Sequence, residues 1–127
     1  MNLWVCLSVG IGGFCGSVLR FLIQAGGFKL FHHGWFGTLV ANSIGCFILG
    51  FLIASAGRIE WLTPTQRLCL TTGFCGGLTT LSTFIGEWVH LVQNDQYFYA
   101  TAYLVITITL GALLLMMGMY LAGKLCP

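Results

Sequence analysis

Thr71-Thr72-Gly73-Phe74-Cys75-Gly76-Gly77-Leu78-Thr79-Thr80-Leu81-Ser82-Thr83-Phe84 packs three glycines into five residues and follows them with four hydroxyl side chains, all within an apolar run. In a helix interior each glycine costs about 1 kcal/mol relative to alanine, so three together need a structural reason. The run reaches from about Arg67 to Val92. Its roughly 26 residues would make a helix of roughly 39 Å, longer than the roughly 30 Å of bilayer hydrocarbon. A break in the helix explains the excess length and the glycines together. A close helix–helix crossing explains the glycines with no break, and the residues alone leave both readings standing. Unwound backbone inside a membrane is tolerated only where protein or a cavity satisfies it.

The composition around this stretch identifies the solvent. Of 127 residues, 5 are Lys or Arg and 3 are Asp or Glu, so 6% is charged while 57% is hydrophobic and 14% aromatic. Soluble domains carry roughly 25% charged residues, and a water-soluble globule of this size could not bury so much apolar surface. Mean hydropathy is +0.93. Disorder is excluded because disordered chains are polar and charge-rich. The net charge of +2 is too small and scattered for a nucleic-acid footprint, so no nucleic-acid partner is expected. The expected class is an all-α integral membrane protein, with residues 1–127 forming a single four-span domain and no cleavable leader ahead of it. Cys6, Cys15, Cys46, Cys69, Cys75 and Cys126 form no C-x-x-C pair and read as small apolar packing residues.

The spans are predicted at about 3–24, 36–56, 67–92 and 97–123, separated by connectors rich in charge and turn residues. Thr63-Pro64-Thr65-Gln66 has the form of a helix start, with proline in the first turn. Trp35, Trp61, Tyr97 and Tyr99 fall near span ends, where amphipathic rings anchor at the interface. Orientation is weakly encoded: Arg58, Arg67 and Lys124 fall on one side against Lys29 and Arg20 on the other. Small residues four apart (Gly12 and Gly16; Gly37, Ala41 and Gly45; Gly73 and Gly77) form stripes that let helices approach closely in lipid. Four short helices enclose little space, so an oligomer is expected.

Polar groups within the spans are few. At about 100° per residue, Thr80, Thr83, Phe84 and Glu87 share one helical face. Each hydroxyl either bonds its own helix one turn back or joins a path for an ion. Glu87 is the only acid in a predicted span, and is either interfacial or functional. Arg20 admits snorkelling to the headgroups and Asn42 admits a packing role between helices. Tyr103 and Thr107 lie four apart on one face of the last span.

Three segments resemble the Fluc (CrcB-type) fluoride channel family, in order and with matching spacing, over nearly the whole chain. Gly12-Gly13-Phe14-Cys15-Gly16-Ser17-Val18-Leu19-Arg20 is similar to the family's first-helix pattern, and Gly37-Thr38-Leu39-Val40-Ala41-Asn42-Ser43-Ile44-Gly45 to its second. The segment from Gly73 to Phe84 resembles the third-helix signature except at one position. There Leu81 stands where the family carries the first of two phenylalanines, and Phe84 matches the second. The resemblance implies an antiparallel, dual-topology homodimer with two fluoride pores near the subunit interface. It implies a structural, untransported sodium ion at the dimer centre, held by the backbone carbonyls of Gly76 and Thr79. It places Ser82, Thr83, Phe84, Leu81, Tyr103 and Glu87 along the pore, and Asn42 and Arg20 at a vestibule. The implied role is passive fluoride exit across the cell membrane, relieving fluoride toxicity.

Fluoride is small and strongly hydrated, so its conduit needs many hydrogen-bond donors and must still release it. Hydroxyls and positive ring edges suit that better than a buried Lys or Arg, and no span carries either at mid-depth. The alternative is a small dual-topology multidrug transporter, which would call for a carboxylate in the first span, where there is none. An enzyme would need a nucleophile–base or metal constellation that the residues do not suggest. A purely structural subunit would leave the hydroxyl run unexplained.

Overall fold

The computed structural model describes residues 2–56, 58–59 and 62–126. Trp61, expected at an interface, and Gly57 and Glu60 of the middle connector lie outside them. Among the described residues four helical segments are long and apolar enough to cross a membrane: Leu3–Phe31, Gly34–Ala54, Pro64–Gln93 and Tyr97–Leu125.

Helix α1 (Leu3–Phe31) starts at Asn2, whose side chain accepts the Trp4 amide, and stops at His32 in the left-handed conformation. It outruns the predicted end at about residue 24 by continuing through Gly26-Gly27. That pair reads as a turn in sequence, yet Gly27 lies against the backbone of Gly37, where an added Cβ would come within 3.0 Å of Gly37 Cα. The glycine serves a close approach. Helix α2 (Gly34–Ala54) follows after a two-residue connection.

The third span is composite. Helix α3 (Pro64–Leu68) opens with a capping box: Thr63 Oγ1 accepts the Gln66 amide, Gln66 Oε1 accepts the Thr63 amide, and Pro64 sits in the first turn. The chain then widens into a π-helical segment, Cys69–Cys75, and returns to a short α4 (Gly76–Leu78). Thr79 (φ −84°, ψ 152°) and Thr80 (φ −148°, ψ 120°) are extended, and α5 (Leu81–Gln93) begins after them. Helix α6 (Tyr97–Leu125) completes the order after a tight turn at Asn94–Gln96.

Both sequence readings of the glycines are realised, on different residues. Gly73 and Gly77 are helical and mark a crossing with α1: a Cβ on Gly77 would overlap the Gly13 carbonyl, and one on Gly12 would overlap the Cys69 carbonyl. The break falls two residues later, at Thr79–Thr80, so these threonines form the break where they were expected to follow it. The π-helical widening shifts the register of the span just ahead of this crossing.

Helix α2 packs most extensively on α6, and α1 on the π segment, α4 and α2. Leu52, Leu62 and Cys75 form a small buried cluster, flanked by Ile48, Leu49, Ile59, Leu70 and Phe74. Large apolar side chains such as Phe14, Phe21, Phe98 and Met116 stand exposed on the outer faces. In water that surface would be untenable; in lipid it costs nothing. The protein is a multi-pass membrane protein. All six cysteines are free thiols, and Cys75 is buried.

Candidate functional site

A helix break creates orphan donors and acceptors, because the last carbonyls of one helix and the first amides of the next lose their partners. Here the tertiary structure supplies replacements. Asn42 of α2 meets Thr80 with both ends of its side-chain amide: Nδ2 donates to the Thr80 carbonyl at 3.2 Å, and Oδ1 accepts the Thr80 N–H at 2.7 Å. Arg20 of α1 donates from Nε to the Gly77 carbonyl at 3.0 Å. Thr80 also caps α5, its Oγ1 accepting the Thr83 amide at 3.3 Å and lying 3.1 Å from Thr83 Oγ1.

These bonds leave a consequence on the other side of the break. In a continuous helix the Thr80 amide would close onto the Gly76 carbonyl, and the Thr83 amide onto that of Thr79. Both amides are committed elsewhere, to Asn42 and to Thr80 Oγ1. The carbonyls of Gly76 and Thr79 are therefore released from their usual helical donors.

The hydroxyls divide by role. Thr79 Oγ1 donates to its own helix at the Cys75 carbonyl, 2.9 Å away, as does Thr71 to Arg67; this is the local bond that any lone threonine can make. Thr80 and Thr83 instead face each other, with Ser82 Oγ 3.4 Å from Thr80 Oγ1 and Ser82 itself exposed.

One turn further, Glu87 is held rather than free at an interface. Thr38 donates to its Oε1 at 2.9 Å and Tyr103 to its Oε2 at 2.8 Å. Gln24 extends the chain, Nε2 donating to Thr38 Oγ1 at 3.1 Å. Three helices and the interrupted span thus converge on one carboxylate. Thr38 is fully buried and Tyr103 nearly so. The Tyr103 ring meets Phe84 edge-on at 4.9 Å and Trp35 at 5.7 Å, so Trp35 packs into this cluster in addition to lying near a span end.

Two open spaces border these groups. A groove of about 400 Å³ runs beside the break, lined by Asn42, Gly76, Thr79, Thr80, Leu81 and Phe84, with Thr107 across from them on α6. Thr107 Oγ1 is buried without a hydrogen-bond partner among the described residues. A cavity of about 800 Å³ opens at the other side of Glu87, walled by the α1–α2 connection, α5 and the start of α6.

The structure therefore brings Asn42, Arg20, Gly76, Thr79, Thr80 and Leu81 to the break, and Thr83, Phe84, Glu87 and Tyr103 along the adjoining face. Leu81 is 72% exposed and Phe84 is 5% exposed, so these two members of the third-helix motif stand in different environments. Thr38 and Gln24 were missed as site residues. Periodicity on α5 cannot indicate which residues of other helices will reach Glu87; the only available signal was that buried polar side chains in lipid must find partners.

The family model described as CrcB-like protein, Camphor Resistance (CrcB), matches residues 7–119. Among similar proteins, one from Chlorobium phaeobacteroides (strain BS1) is 43% identical over 122 residues, covering 91% of each chain. One from Serratia proteamaculans (strain 568) is 49% identical over 96 residues, covering 76% of each. A third, from Hydrogenobaculum sp. (strain Y04AAS1), is 38% identical over 119 residues, covering 94% of this chain and 98% of its own. All three are named fluoride-specific ion channel FluC.

Proposed function

The chain belongs to the CrcB-like family, and from that premise we propose that it is a fluoride channel of the cell membrane, carrying fluoride out passively down its electrochemical gradient. The observation that carries the reading is the pinned break at Thr79–Thr80, followed on one face by hydroxyls, an aromatic edge and the Glu87 cluster. Fluoride gives up hydration only to closely placed donors, and leaves again only if no fixed cation traps it. Thr80, Ser82, Thr83 and the unpartnered Thr107 hydroxyl provide donors without charge. Thr38 and Tyr103 donate to Glu87 in the resting arrangement. Each can offer its proton to an anion only by turning from the carboxylate, which keeps anion binding weak and exchange fast. The only lysine or arginine bonded at the break is Arg20, and its Nε is engaged by the Gly77 carbonyl.

The functional unit in this reading is an antiparallel, dual-topology homodimer with two pores, the second copy covering the groove beside the break. A structural sodium ion is part of the same proposal. The released carbonyls of Gly76 and Thr79 fit it: they are neutral, hard oxygen donors on residues lining the groove, suited to a monovalent hard cation at a helix break. When bound, sodium would supply a fixed positive charge between the two copies. Chloride would be excluded by size.

The multidrug-transporter reading gains no support from the structure, since the carboxylate at hand is on α5 and already accepts two hydroxyls. Fluoride and chloride efflux from liposomes carrying the purified protein, followed by electrode, tests the proposal. Fluoride efflux well above chloride is expected, and efflux equal to that of empty vesicles would refute it. Replacing sodium by a large organic cation should lower fluoride efflux if Gly76 and Thr79 hold the ion; unchanged efflux would remove the sodium from the proposal.

A further inference from the structure

We propose that the cavity beside Glu87 is a histidine-rimmed collecting site for small anions, in which His32, His33 and His90 draw fluoride toward the pore when they are protonated. It rests on the fluoride-channel reading and adds a site and a pH dependence to it.

The cavity of about 800 Å³ is lined by all three histidines of the chain, together with Glu87, Asn94 and Tyr99. They arrive from separate elements. His32 and His33 form the connection between α1 and α2, and His90 follows Glu87 by nearly one turn on α5. Among the described residues no lysine or arginine lines the cavity, and Glu87 is its one carboxylate. Both Glu87 oxygens already accept hydroxyls, from Thr38 and Tyr103. The charged groups on adjoining segments are Lys29 in the last turn of α1 and Asp95 in the α5–α6 turn, whose Oδ1 accepts the Tyr97 hydroxyl. From α6 the facing group is the Tyr99 phenol.

The rim is joined to the pore face by packed rings. His33 stacks on Trp35 at 6.0 Å with the planes 24° apart, Trp35 lies 5.7 Å from Tyr103, and Tyr103 meets both Glu87 and Phe84. A protonated imidazole over an indole face is favourable. Asn94 Nδ2 donates to the His90 carbonyl at 2.7 Å and lies 3.3 Å from His90 Nε2, holding that ring at the wall.

The sign follows from counting charge. With neutral histidines the cavity contains only the carboxylate and disfavours anions. Histidine is the side chain whose charge changes between about pH 5 and 8, and three protonations turn the cavity net positive. Charge of one sign in a low-dielectric cleft raises the local concentration of the opposite ion. Anion supply to the pore therefore rises as pH falls, and the effect fades as inert salt shortens the screening length.

The experiment is fluoride current across planar bilayers carrying the purified protein, with both chambers at about pH 6 or about pH 8, corrected for protein-free bilayers. The native current should be about two- to fivefold larger at the lower pH in dilute salt, and this ratio should shrink toward one in concentrated inert salt. In His32→Asn/His33→Gln/His90→Gln the ratio should fall to near one in dilute salt as well. Asparagine is chosen at position 32 because it tolerates the left-handed backbone there. His90→Gln alone, which leaves the connection untouched, should lose part of the ratio and serves if the triple variant does not fold. A native ratio near one, or an undiminished ratio in either variant, overturns the collecting site while leaving the channel intact. Absence of any fluoride current overturns the channel reading itself, and the collecting site with it.

Discussion

Replacing Asn42 by alanine removes the only side chain that satisfies both the amide and the carbonyl of Thr80. Its magnitude can be bracketed. Thr80 is buried, and an unpaired buried donor or acceptor costs about 1–3 kcal/mol. Two such groups would set an upper value of about 6 kcal/mol, whereas interhelical hydrogen bonds in membranes average about 0.6 kcal/mol each. Partial relaxation of the break toward a continuous helix would restore the bond from the Thr80 amide to the Gly76 carbonyl, which favours the lower half, about 1–3 kcal/mol. Such relaxation has a functional price: it closes the extended pair that directs Thr80 and Thr83 toward one another. Fluoride efflux should therefore fall about tenfold, the change that about 1.4 kcal/mol makes in an equilibrium. Stability is read from denaturant titration in detergent, and efflux from liposomes by electrode. Asn42→Asp separates the two effects, since it keeps an acceptor for the Thr80 amide and loses the donor to the Thr80 carbonyl. It should be less destabilised than Asn42→Ala and conduct no better. Asn42→Ala with native efflux and a stability change under about 0.5 kcal/mol would refute the role of the clamp.

Three further outcomes are expected. Leu81→Phe, at a site 72% exposed beside Phe84 in the groove, should change stability by under about 0.5 kcal/mol and alter fluoride efflux; identical efflux would make the position unimportant. Gly77→Ala forces a methyl group into the Gly13 carbonyl, whereas a Cβ on Gly76 meets nothing within 4 Å; unfolding should show Gly77→Ala losing about 2 kcal/mol or more and Gly76→Ala markedly less, and the reverse order would refute the crossing. Tyr103→Phe keeps the edge-on packing against Phe84 but removes the donor to Glu87 Oε2; a loss of about 1–2 kcal/mol with reduced efflux is expected, and an unchanged protein would mean that the Glu87 cluster carries neither role.

The membrane class, the number of spans and the helix start at Thr63–Pro64 were legible in the sequence because each follows from local chemistry. Twenty or so apolar residues can only be placed in lipid, and a threonine three residues before glutamine with proline between caps a helix in almost any context. The interruption of the third span was legible as an alternative only. Glycine permits both close approach and unwinding, so the residue type could not say that Gly73 and Gly77 would do the first while Thr79 and Thr80 did the second. The end of α1 was misplaced for the same reason, since Gly26-Gly27 lies within a helix that uses Gly27 for contact with Gly37.

The sequence by itself determined where polar chemistry could reside, by excluding charge from nearly all of the apolar spans and concentrating hydroxyls after the glycines. Only the tertiary structure decided what those groups do. Arg20 became a cap for the Gly77 carbonyl and Asn42 a clamp on Thr80, where sequence allowed snorkelling and packing glue. Glu87 acquired Thr38 and Tyr103 from helices distant in sequence. The physical reason is common to all of them. In lipid an unpaired polar group has no water to fall back on, so every such side chain must find a partner, and which partner it finds depends on how the helices cross.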